Sequence, residues 1–353
     1  MNFVISMDLH RWGYSCLAEN RQPPDGVARQ LLGQGHKFIH VDMDSYFVAV
    51  ELLDAPWLRE RPVAVGGKAT DRGVISTSNY IARRYGVRSG MATATAERLC
   101  PGLVLLPVRF ERYEAVTRRL DVIFRRYTSN VEFLSLDEAT LDVTGQVYCN
   151  GSATYMANRI RASIEQKLHL TASAGVAPLK YLAKMASEVN KPNGQFVIAP
   201  HQVQAFLKNL DIRKIPGVGP KTWAVLQALG CTKCADVTDE MIPALLRHLG
   251  AHGFYVWERC RGQESYEGKP GAVQSLGVEH TLPSDCNDFA CCLRELDELL
   301  GTLAKRLEVL GSAPPIVRNQ VKLKFSDFSI ATAEAPALSL IHISEPTRRR
   351  GIS

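Results

Sequence analysis

The stretch KFIHVDMDSYFVAVE, residues 37–51, predicts a strand and a following helix with candidate site residues between them. Its first half is a short apolar run that is typical of a buried strand and that ends at Asp42. Strand alternation places Asp44 on the same face as Asp42. Two carboxylates in this position predict a metal site, whereas the alternative for Asp44 alone is an N-cap of the helix that follows.

A second pair of carboxylates lies in VEFLSLDEATLDVT, residues 131–144. Two strand-like runs flank Asp137 and Glu138, which is the pattern of a hairpin. Adjacent residues within a strand face opposite ways, so both carboxylates reach one site only through a tight turn. Like charges about 4 Å apart repel by about 4 kcal/mol at an effective dielectric of about 20, so converging carboxylates imply cations. The alternative is a solvated turn.

Composition indicates a globular protein with a mild excess of positive charge. Of the 353 residues, 46% are hydrophobic and 22% charged, and the net charge of +6 is compatible with nucleic acid without being diagnostic of it. No apolar run approaches the roughly 20 residues that cross a bilayer, and the N-terminus lacks a secretory pattern. The nine cysteines predict reduced thiols in a cytoplasmic protein, and the lone pair Cys231 and Cys234 lacks further ligands for zinc.

Strand and helix patterns alternate up to about residue 199 and predict an α/β domain, whereas residues 201–265 are mostly helical. A linker is expected at 266–273. Beyond it, the sequence predicts a strand, an amphipathic helix at 287–310 and a further strand at IVRNQVKLKF.

The two ends of the chain depart from these patterns. Residues 1–36 have no clear periodicity and predict a flexible extension. Residues 339–353 resemble translated sequencing-adaptor read-through appended to an incomplete gene, and the alternative is a natural basic tail.

Five motifs occur in one order: HVDMDSYFVAVE, GVISTSNYIARRYGVRSGM, SLDEATLDVT, TASAGVAPLKYLAKMASEVNKPNGQF and KIPGVGPKTWAVLQALG. Together they closely resemble the Y family of translesion DNA polymerases, over about residues 37–336. The resemblance implies an α+β multidomain, right-hand polymerase. Its expected parts are a palm (37–44 and 108–199), small fingers (45–107), a helical thumb with a helix-hairpin-helix (200–265), and an incomplete α/β little finger (274–338).

The resemblance also assigns the catalytic carboxylates. It implies that Asp42, Asp137 and Glu138 bind a pair of Mg²⁺ ions and that the Met43 backbone carbonyl joins one of them. Mg²⁺ prefers such oxygen ligands, and two ions about 4 Å apart clamp the attacking and leaving oxygens of a phosphoryl transfer. Thr140 departs from the family, which usually has Tyr after DEA, and we expect altered or reduced activity rather than its loss.

The nucleotide contacts follow from the same resemblance. Phe47 matches the steric gate that excludes a 2′-hydroxyl, with the adjacent Tyr46 as runner-up; the alternative for Phe47 is a core aromatic residue. Tyr80, Arg83 and Lys191 match contacts to the triphosphate, for which a guanidinium offers a planar fork of donors. Without the family, Arg83 would be assigned to a solvated helix face and Lys191 to a charge at the C-terminal cap of a helix.

The DNA contacts are assigned to the thumb and the little finger. Glycines of IPGVG let backbone N–H groups approach a phosphate at a helix N-terminus, a contact that reads no sequence. The residues implied are Gly217, Gly219 and Lys221, together with Arg318, Lys322 and Lys324, which share parity on one strand. The alternative is a solvated sheet face.

The implied function is addition of deoxynucleotides to a primer 3′ end on damaged templates, without proofreading. We expect a monomer that binds primer-template DNA and deoxynucleoside triphosphates. The sliding-clamp peptide of the family is not found in this sequence. Two alternatives are a metal-dependent nuclease, which leaves Phe47 and the triphosphate contacts unexplained, and a non-catalytic DNA-binding scaffold if truncation disables the enzyme.

Overall fold

The computed structural model describes residues 2–9, 35–265, 275–286, 288–309 and 316–336. Within these ranges the chain forms two compact units. The smaller contains the described parts of 1–25 and 267–353 together with Lys68–Gly73, and the larger contains the described parts of 26–67 and 74–266. No helix among the described residues is long and apolar enough to span a membrane.

Twelve strands are described, and their bounds place the predicted segments. They are β1 (Asn2–Leu9), β2 (Phe38–Met43), β3 (Val63–Gly66), β4 (Ile75–Ser78), β5 (Val104–Leu106), β6 (Val131–Phe133), β7 (Glu138–Asp142), β8 (Ala172–Ala177), β9 (Gln195–Val197), β10 (Ser275–Thr281), β11 (Ile316–Lys324) and β12 (Ile330–Pro336).

Eleven α-helices are described between these strands. They are α1 (Tyr46–Asp54), α2 (Tyr80–Arg84), α3 (Thr93–Leu99), α4 (Phe110–Phe124), α5 (Ala153–Leu168), α6 (Lys180–Val189), α7 (Val203–Lys208), α8 (Pro220–Ala228), α9 (Ile242–Leu249), α10 (Ala251–Cys260) and α11 (Phe289–Val309).

The larger unit is built around a five-stranded sheet in the order β6-β7-β2-β8-β9. The central strand β2 pairs antiparallel with both β7 and β8, and its Ile39 and Val41 are fully buried. Helix α6 lies so close to β8 that a Cβ on Gly175 would meet the Ala183 carbonyl oxygen at 1.9 Å, so this crossing requires glycine. This packing fixes the strand end that carries Asp42.

Two further layers complete the larger unit. A three-stranded sheet in the order β4-β3-β5 packs with α2 and α3 around a small core that includes Ile75 and Ala82. Helices α7 to α10 share a second core with α6, and this core includes Leu182, Leu226 and Val256. The mostly helical character predicted for 201–265 is therefore confirmed.

The smaller unit contains a four-stranded sheet in the order β10-β1-β11-β12 with α11 against it. The expectation of a flexible extension is wrong for residues 2–9, which form β1 and pair antiparallel with both β10 and β11. Apolar residues recur at every second position there, Phe3, Ile5, Met7 and Leu9, which is the period of a strand with one buried face. This alternation is short and its partners lie more than 260 residues away, so the sequence pattern alone gave a weak signal.

The elements predicted for the smaller unit are present with shifted ends. Strand β1 fills the position between β10 and β11, which gives both of these strands a partner. The expected linker at 266–273 and the tail at 339–353 lie outside the described residues.

The cysteines differ in one respect from the sequence interpretation. Cys286 and Cys291 form a disulfide, so the expectation of reduced thiols is wrong for this pair. The two cysteines are five positions apart in the sequence and their Cα atoms lie 6.2 Å apart, a proximity that sequence spacing alone does not reveal. Cys231 and Cys234 are buried free thiols.

Candidate active site

Two of the three predicted metal-binding carboxylates lie directly opposite each other. Asp42 on β2 is the ladder partner of Glu138 on β7. Asp137 lies in the turn that precedes β7, where the Met43 N–H donates to its carbonyl oxygen at 3.0 Å and the Ser135 hydroxyl donates to its Oδ1 at 2.6 Å. The hairpin of β6 and β7 therefore supplies the tight turn that the sequence argument required.

A lysine forms an ion pair with Asp42. Lys191 Nζ lies 2.8 Å from Asp42 Oδ2 and 2.5 Å from Glu188 Oε1. Burial nevertheless raises the pKa of Asp42 to about 6, with Lys191 acting in the opposite direction and Glu188 and Asp137 adding repulsion. Burial also acts to lower the pKa of Lys191, but Asp42 and Glu188 outweigh it and the pKa is raised. The pocket thus disfavours a second uncompensated negative charge.

Glu138 is held in its charged form by two neighbours. His40 Nε2 lies 3.5 Å from Glu138 Oε2, and Lys184 forms an ion pair with the same oxygen. The neighbouring His40 ring, with a further contribution from Lys184, lowers the pKa of Glu138 to about 2 although burial opposes it. Burial lowers the pKa of His40, so its ring is neutral at pH 7.

Thr140, the residue that departs from the family, contacts His40 in the structure. The Thr140 hydroxyl lies 2.9 Å from His40 Nδ1, and both side chains are buried. Which of the two groups donates in this contact depends on the tautomer of the His40 ring. Thr140 therefore holds the ring of the histidine that lies beside Glu138.

The donor set fits a divalent cation. Ligand atoms of His40, Asp42 and Glu138 all lie within 4.8 Å of one another. Carboxylate oxygens are the ligands that Mg²⁺ prefers, whereas imidazole suits transition metals better. A cation beside Asp42 would also offset the burial that raises the pKa of this carboxyl group.

Asp44 is neither clustered with Asp42 and Glu138 nor the N-cap of the helix that follows. It is buried and accepts hydrogen bonds from the Ser173 hydroxyl at 2.8 Å, the Asn193 N–H at 2.8 Å and the Tyr80 hydroxyl at 3.4 Å. Ser45, and not Asp44, stands at the N-cap of α1. Asp44 therefore ties α2 to β8 and to the loop that follows α6.

The two aromatic candidates for the sugar gate are clearly distinguished. Tyr46 is buried and donates its hydroxyl to the Tyr113 carbonyl oxygen at 2.8 Å, with Thr117 Oγ1 at 3.0 Å. Phe47 is only partly buried, and its ring stacks on Tyr113 at a centroid distance of 4.2 Å, with Phe110 at its edge. Tyr46 belongs to the core, and Phe47 retains an accessible part.

Tyr80 and Arg83 lie together on α2. The Arg83 guanidinium stands 4.8 Å from the centroid of the Tyr80 ring, and its Nε donates to the Ser78 carbonyl oxygen at 3.0 Å. The Asn79 side chain caps the helix by accepting from the Ala82 N–H. The cap stabilises the start of the helix, and the stacking together with the bond to Ser78 holds the Arg83 side chain in place.

The helix-hairpin-helix segment has one strained and one open glycine. Gly217 adopts φ +93°, and a Cβ there would lie 3.1 Å from Tyr255 Cε1, whereas Gly219 has nothing within 4 Å of such a Cβ. His252 Nε2 lies 3.1 Å from the Gly217 carbonyl oxygen. Gly219 is the N-cap of α8, and Lys221 is exposed in its first turn.

The basic residues of β11 share one face but are not equally accessible. Arg318 pairs with Glu334 of β12 at 2.9 Å. Lys322 and Lys324 are half-buried, and the Lys324 ammonium lies 4.7 Å from the centroid of the Phe328 ring. Arg318 therefore has an internal partner that the sequence reasoning missed.

His40 and Lys184 are the site residues that sequence reasoning did not single out. His40 is visible in HVDMD, two positions before Asp42 on the same strand face, and that parity is the signal that could have found it. Lys184 lies on α6, whose contact with β7 depends on tertiary packing. The sequence offered no comparable signal for it.

Strand-end carboxylates that fit a divalent cation, beside stacked aromatic rings and an arginine, agree with the class of metal-dependent phosphoryl transfer enzymes. Family models agree with this class. The impB/mucB/samB family matches residues 41–188, the IMS family HHH motif matches 201–230, and the impB/mucB/samB family C-terminal domain matches 273–350. The last match extends beyond residue 338, where we expected the family pattern to stop.

Curated relatives and solved structures narrow the class. The chain is 50% identical over 312 residues to DNA polymerase IV of Yersinia pestis, covering 88% of this chain and 89% of that one. It is 52% identical over 299 residues to DNA polymerase IV of Pectobacterium atrosepticum, covering 84% and 85%. A Y-family DNA polymerase chimera of Dbh and Dpo4 superposes with a TM-score of 0.76 at 30% identity, covering 85% and 88%.

The insertion ternary complex of Dbh DNA polymerase superposes with a TM-score of 0.63 at 29% identity, covering 85% of this chain and 87% of that one. The chain therefore belongs to the impB/mucB/samB family of Y-family DNA polymerases. It is a DNA-directed DNA polymerase of the translesion type, with the expected α+β polymerase fold. The family uses divalent metal ions, in agreement with the acidic cluster at the end of β2.

Proposed function

We propose that this polymerase extends a primer by a two-metal-ion mechanism in which Asp42, Asp137 and Glu138 hold two Mg²⁺ ions and the Met43 carbonyl joins the second. The observation that carries the proposal is the pairing of Asp42 with Glu138 across the β2–β7 ladder, with Asp137 in the adjoining turn. When bound, the ions lower the pKa of the attacking hydroxyl and neutralise charge on the transferring phosphate.

The side chains around the carboxylates prepare the site. Lys191 and Lys184 form ion pairs with Asp42 and Glu138, whose charges bound metal ions would also compensate. We assign the Lys191 ammonium group to the triphosphate, together with Tyr80 and Arg83 on α2. The stacking of Arg83 on Tyr80 supports this assignment, because it orients the guanidinium in advance of binding.

Sugar selection is assigned to Phe47. Its ring is braced from behind by Tyr113, so it cannot retreat from a ribose that carries a 2′-hydroxyl. Tyr46 is excluded from this role by its burial and by its hydrogen bond to Tyr113. The expected substrates are deoxynucleoside triphosphates.

The partner is primer-template DNA, and the proposed domain roles follow the family. Residues 37–44 and 108–199 act as the palm, 45–107 as the fingers, 200–265 as the thumb and 274–338 as the little finger. Open space at Gly219 supports close approach of a phosphate to the start of α8. Lys221, Lys322 and Lys324 supply positive charge for contacts to DNA phosphates. Arg318 contributes only if its ion pair with Glu334 breaks.

A single-nucleotide primer-extension assay tests the proposal. A labelled primer on a template is incubated with each deoxynucleotide in Mg²⁺ and, as control, in EDTA. We expect lengthening by the complementary nucleotide in Mg²⁺ alone. Shortened primers would support a nuclease, and an unchanged primer that stays bound would support the scaffold. We further expect the protein to be a monomer in the cytoplasm.

A further inference from the structure

The sheet of the smaller unit has an unusual order, because its first strand in the chain occupies an internal position. β1 pairs with β10 from Asn2 to Asp8 and with β11 from Asn2 to Leu9. Among the described residues, β10 and β11 form no backbone ladder with each other, and each is hydrogen-bonded to β1. Without β1, both strands would present unpaired edges.

The core of the smaller unit depends on the same strand. Ile5 is 2% exposed and packs in one cluster with Val278 of β10 and with Leu299 and Leu303 of α11. Val321 of β11 lies against this cluster and is the ladder partner of Ile5. One side chain of β1 therefore links the two halves of the sheet to α11.

We propose that the slot between β10 and β11 is a strand-acceptor site, and that its occupant is the N-terminal segment of the same chain acting as a separable strand. Antiparallel pairing on both sides supplies affinity through the backbone, and the pocket around Ile5 supplies register. A slip by one residue would turn Ile5 to the opposite face. The acceptor therefore selects an extended peptide with an apolar residue at the position of Ile5.

The slot also bears on the proposed DNA contacts. Lys322 of β11 lies directly opposite Val4 of β1, and Lys324 lies opposite Asn2. Loss of β1 would free the edge of the strand that carries both lysines. DNA affinity of this unit is therefore expected to depend on the N-terminal segment; this part rests on the proposed function.

A cross-link in the full chain tests the placement of β1 directly. Ser6 and Gly277 are ladder partners, and a Cβ on Gly277 would lie 3.3 Å from the Ser6 Cβ, close to the spacing of a disulfide. We expect Ser6→Cys with Gly277→Cys to form an intrachain disulfide under mild oxidation, identified by mass spectrometry of the digest. The matched control pairs Ser6→Cys with Thr281→Cys, which lies about 13 Å away along the strand.

Absence of the Ser6–Gly277 cross-link, or equal cross-linking in the control, would overturn the proposal. A cross-link that joins two copies would overturn its intramolecular part. Because this readout involves neither DNA nor metal, it decides the position of the strand even if the proposed DNA contacts are wrong.

Complementation tests separability. A variant lacking residues 2–9 is mixed with a labelled peptide of residues 1–10 or with the same peptide carrying Ile5→Lys. We expect saturable binding of the first peptide, weakened at least about tenfold by the lysine, since a buried charge is costly. If only the first peptide restores DNA affinity, the result supports the proposal that the DNA contacts of Lys322 and Lys324 depend on β1. Unaltered melting of the deletion variant, or equal binding of both peptides, would overturn the acceptor site.

Discussion

Asp42 on β2 and Glu138 on β7 are direct partners in an antiparallel ladder, and each carries its own lysine, Lys191 and Lys184. Opposite residues in such a ladder have Cα atoms about 4.5–5.5 Å apart, so the backbone alone holds the two carboxyl groups near each other. The repulsion that this proximity creates is balanced by two ammonium groups. The charges of both carboxylates are therefore compensated within the protein itself.

The pH dependence of stability without metal should report the burial of Asp42. Its pKa is raised from 3.8 to about 6, so the folded state holds the proton more tightly than the unfolded state. The destabilisation is full above about pH 6 and disappears as the pH falls below about 4, with a maximum of about 3 kcal/mol. We expect Asp42→Asn to raise the melting temperature in EDTA at pH 7.5 and to do so far less at pH 4.5.

A control with the opposite sign is available. Exposed Asp211 has its pKa lowered to about 2 by Arg213, so Asp211→Asn should give no gain at pH 7.5. Mg²⁺ should stabilise the wild type more than Asp42→Asn. An Asp42→Asn advantage that is equal at both pH values would contradict the assigned burial cost.

Sugar discrimination should depend on Phe47. Phe47→Ala removes the ring that Tyr113 braces, so ribonucleotide incorporation should rise by at least about tenfold relative to deoxynucleotide incorporation, which corresponds to about 1.4 kcal/mol. Single-turnover incorporation of both substrates measures the ratio. Tyr46→Phe is the matched control, because it keeps a buried ring and removes only the hydroxyl. A ratio that changes in Tyr46→Phe and not in Phe47→Ala would reverse the assignment.

Much of this site is predictable because its elements are local in sequence. The β6–β7 hairpin, the buried β2 strand and α6 each follow from a short periodic pattern around their own residues. Other features were not predictable, among them strand β1, the ion pair between Arg318 and Glu334, and the role of Asp44. Each depends on partners brought together by tertiary packing: Ile5 meets Val278, and Asp44 meets Asn193.

The network of Thr140 and His40 should control Glu138. Thr140→Val keeps the shape but leaves His40 Nδ1 buried without its hydrogen-bond partner, at a cost of about 1–3 kcal/mol. We expect lower stability in chemical denaturation and a fall in kcat with little change in KM for the nucleotide. Thr140→Ser retains the hydroxyl and should stay close to the wild type. Equal loss in both variants would show that Thr140 acts through packing alone.

The two glycines of the hairpin in the helical region should respond differently. Gly217→Ala strains a backbone at φ +93° against Tyr255 and should lower the melting temperature. Gly219→Ala meets no protein atom, so stability should be retained while DNA affinity falls equally on all sequences, since the lost contact is to phosphate. Thermal melts and fluorescence anisotropy measure the two effects. Unchanged affinity in Gly219→Ala would remove this loop from the DNA interface.

The proposed role of the carboxylates as a polymerase metal centre is tested most directly by primer extension as a function of Mg²⁺ in the wild type and in Asp137→Asn. DNA binding is measured in parallel to separate chemistry from affinity. We predict a Mg²⁺-dependent extension that falls at least about 100-fold in Asp137→Asn, with DNA affinity retained, because the variant removes stabilisation needed only in the transition state. Extension by Asp137→Asn at the wild-type rate would contradict the account.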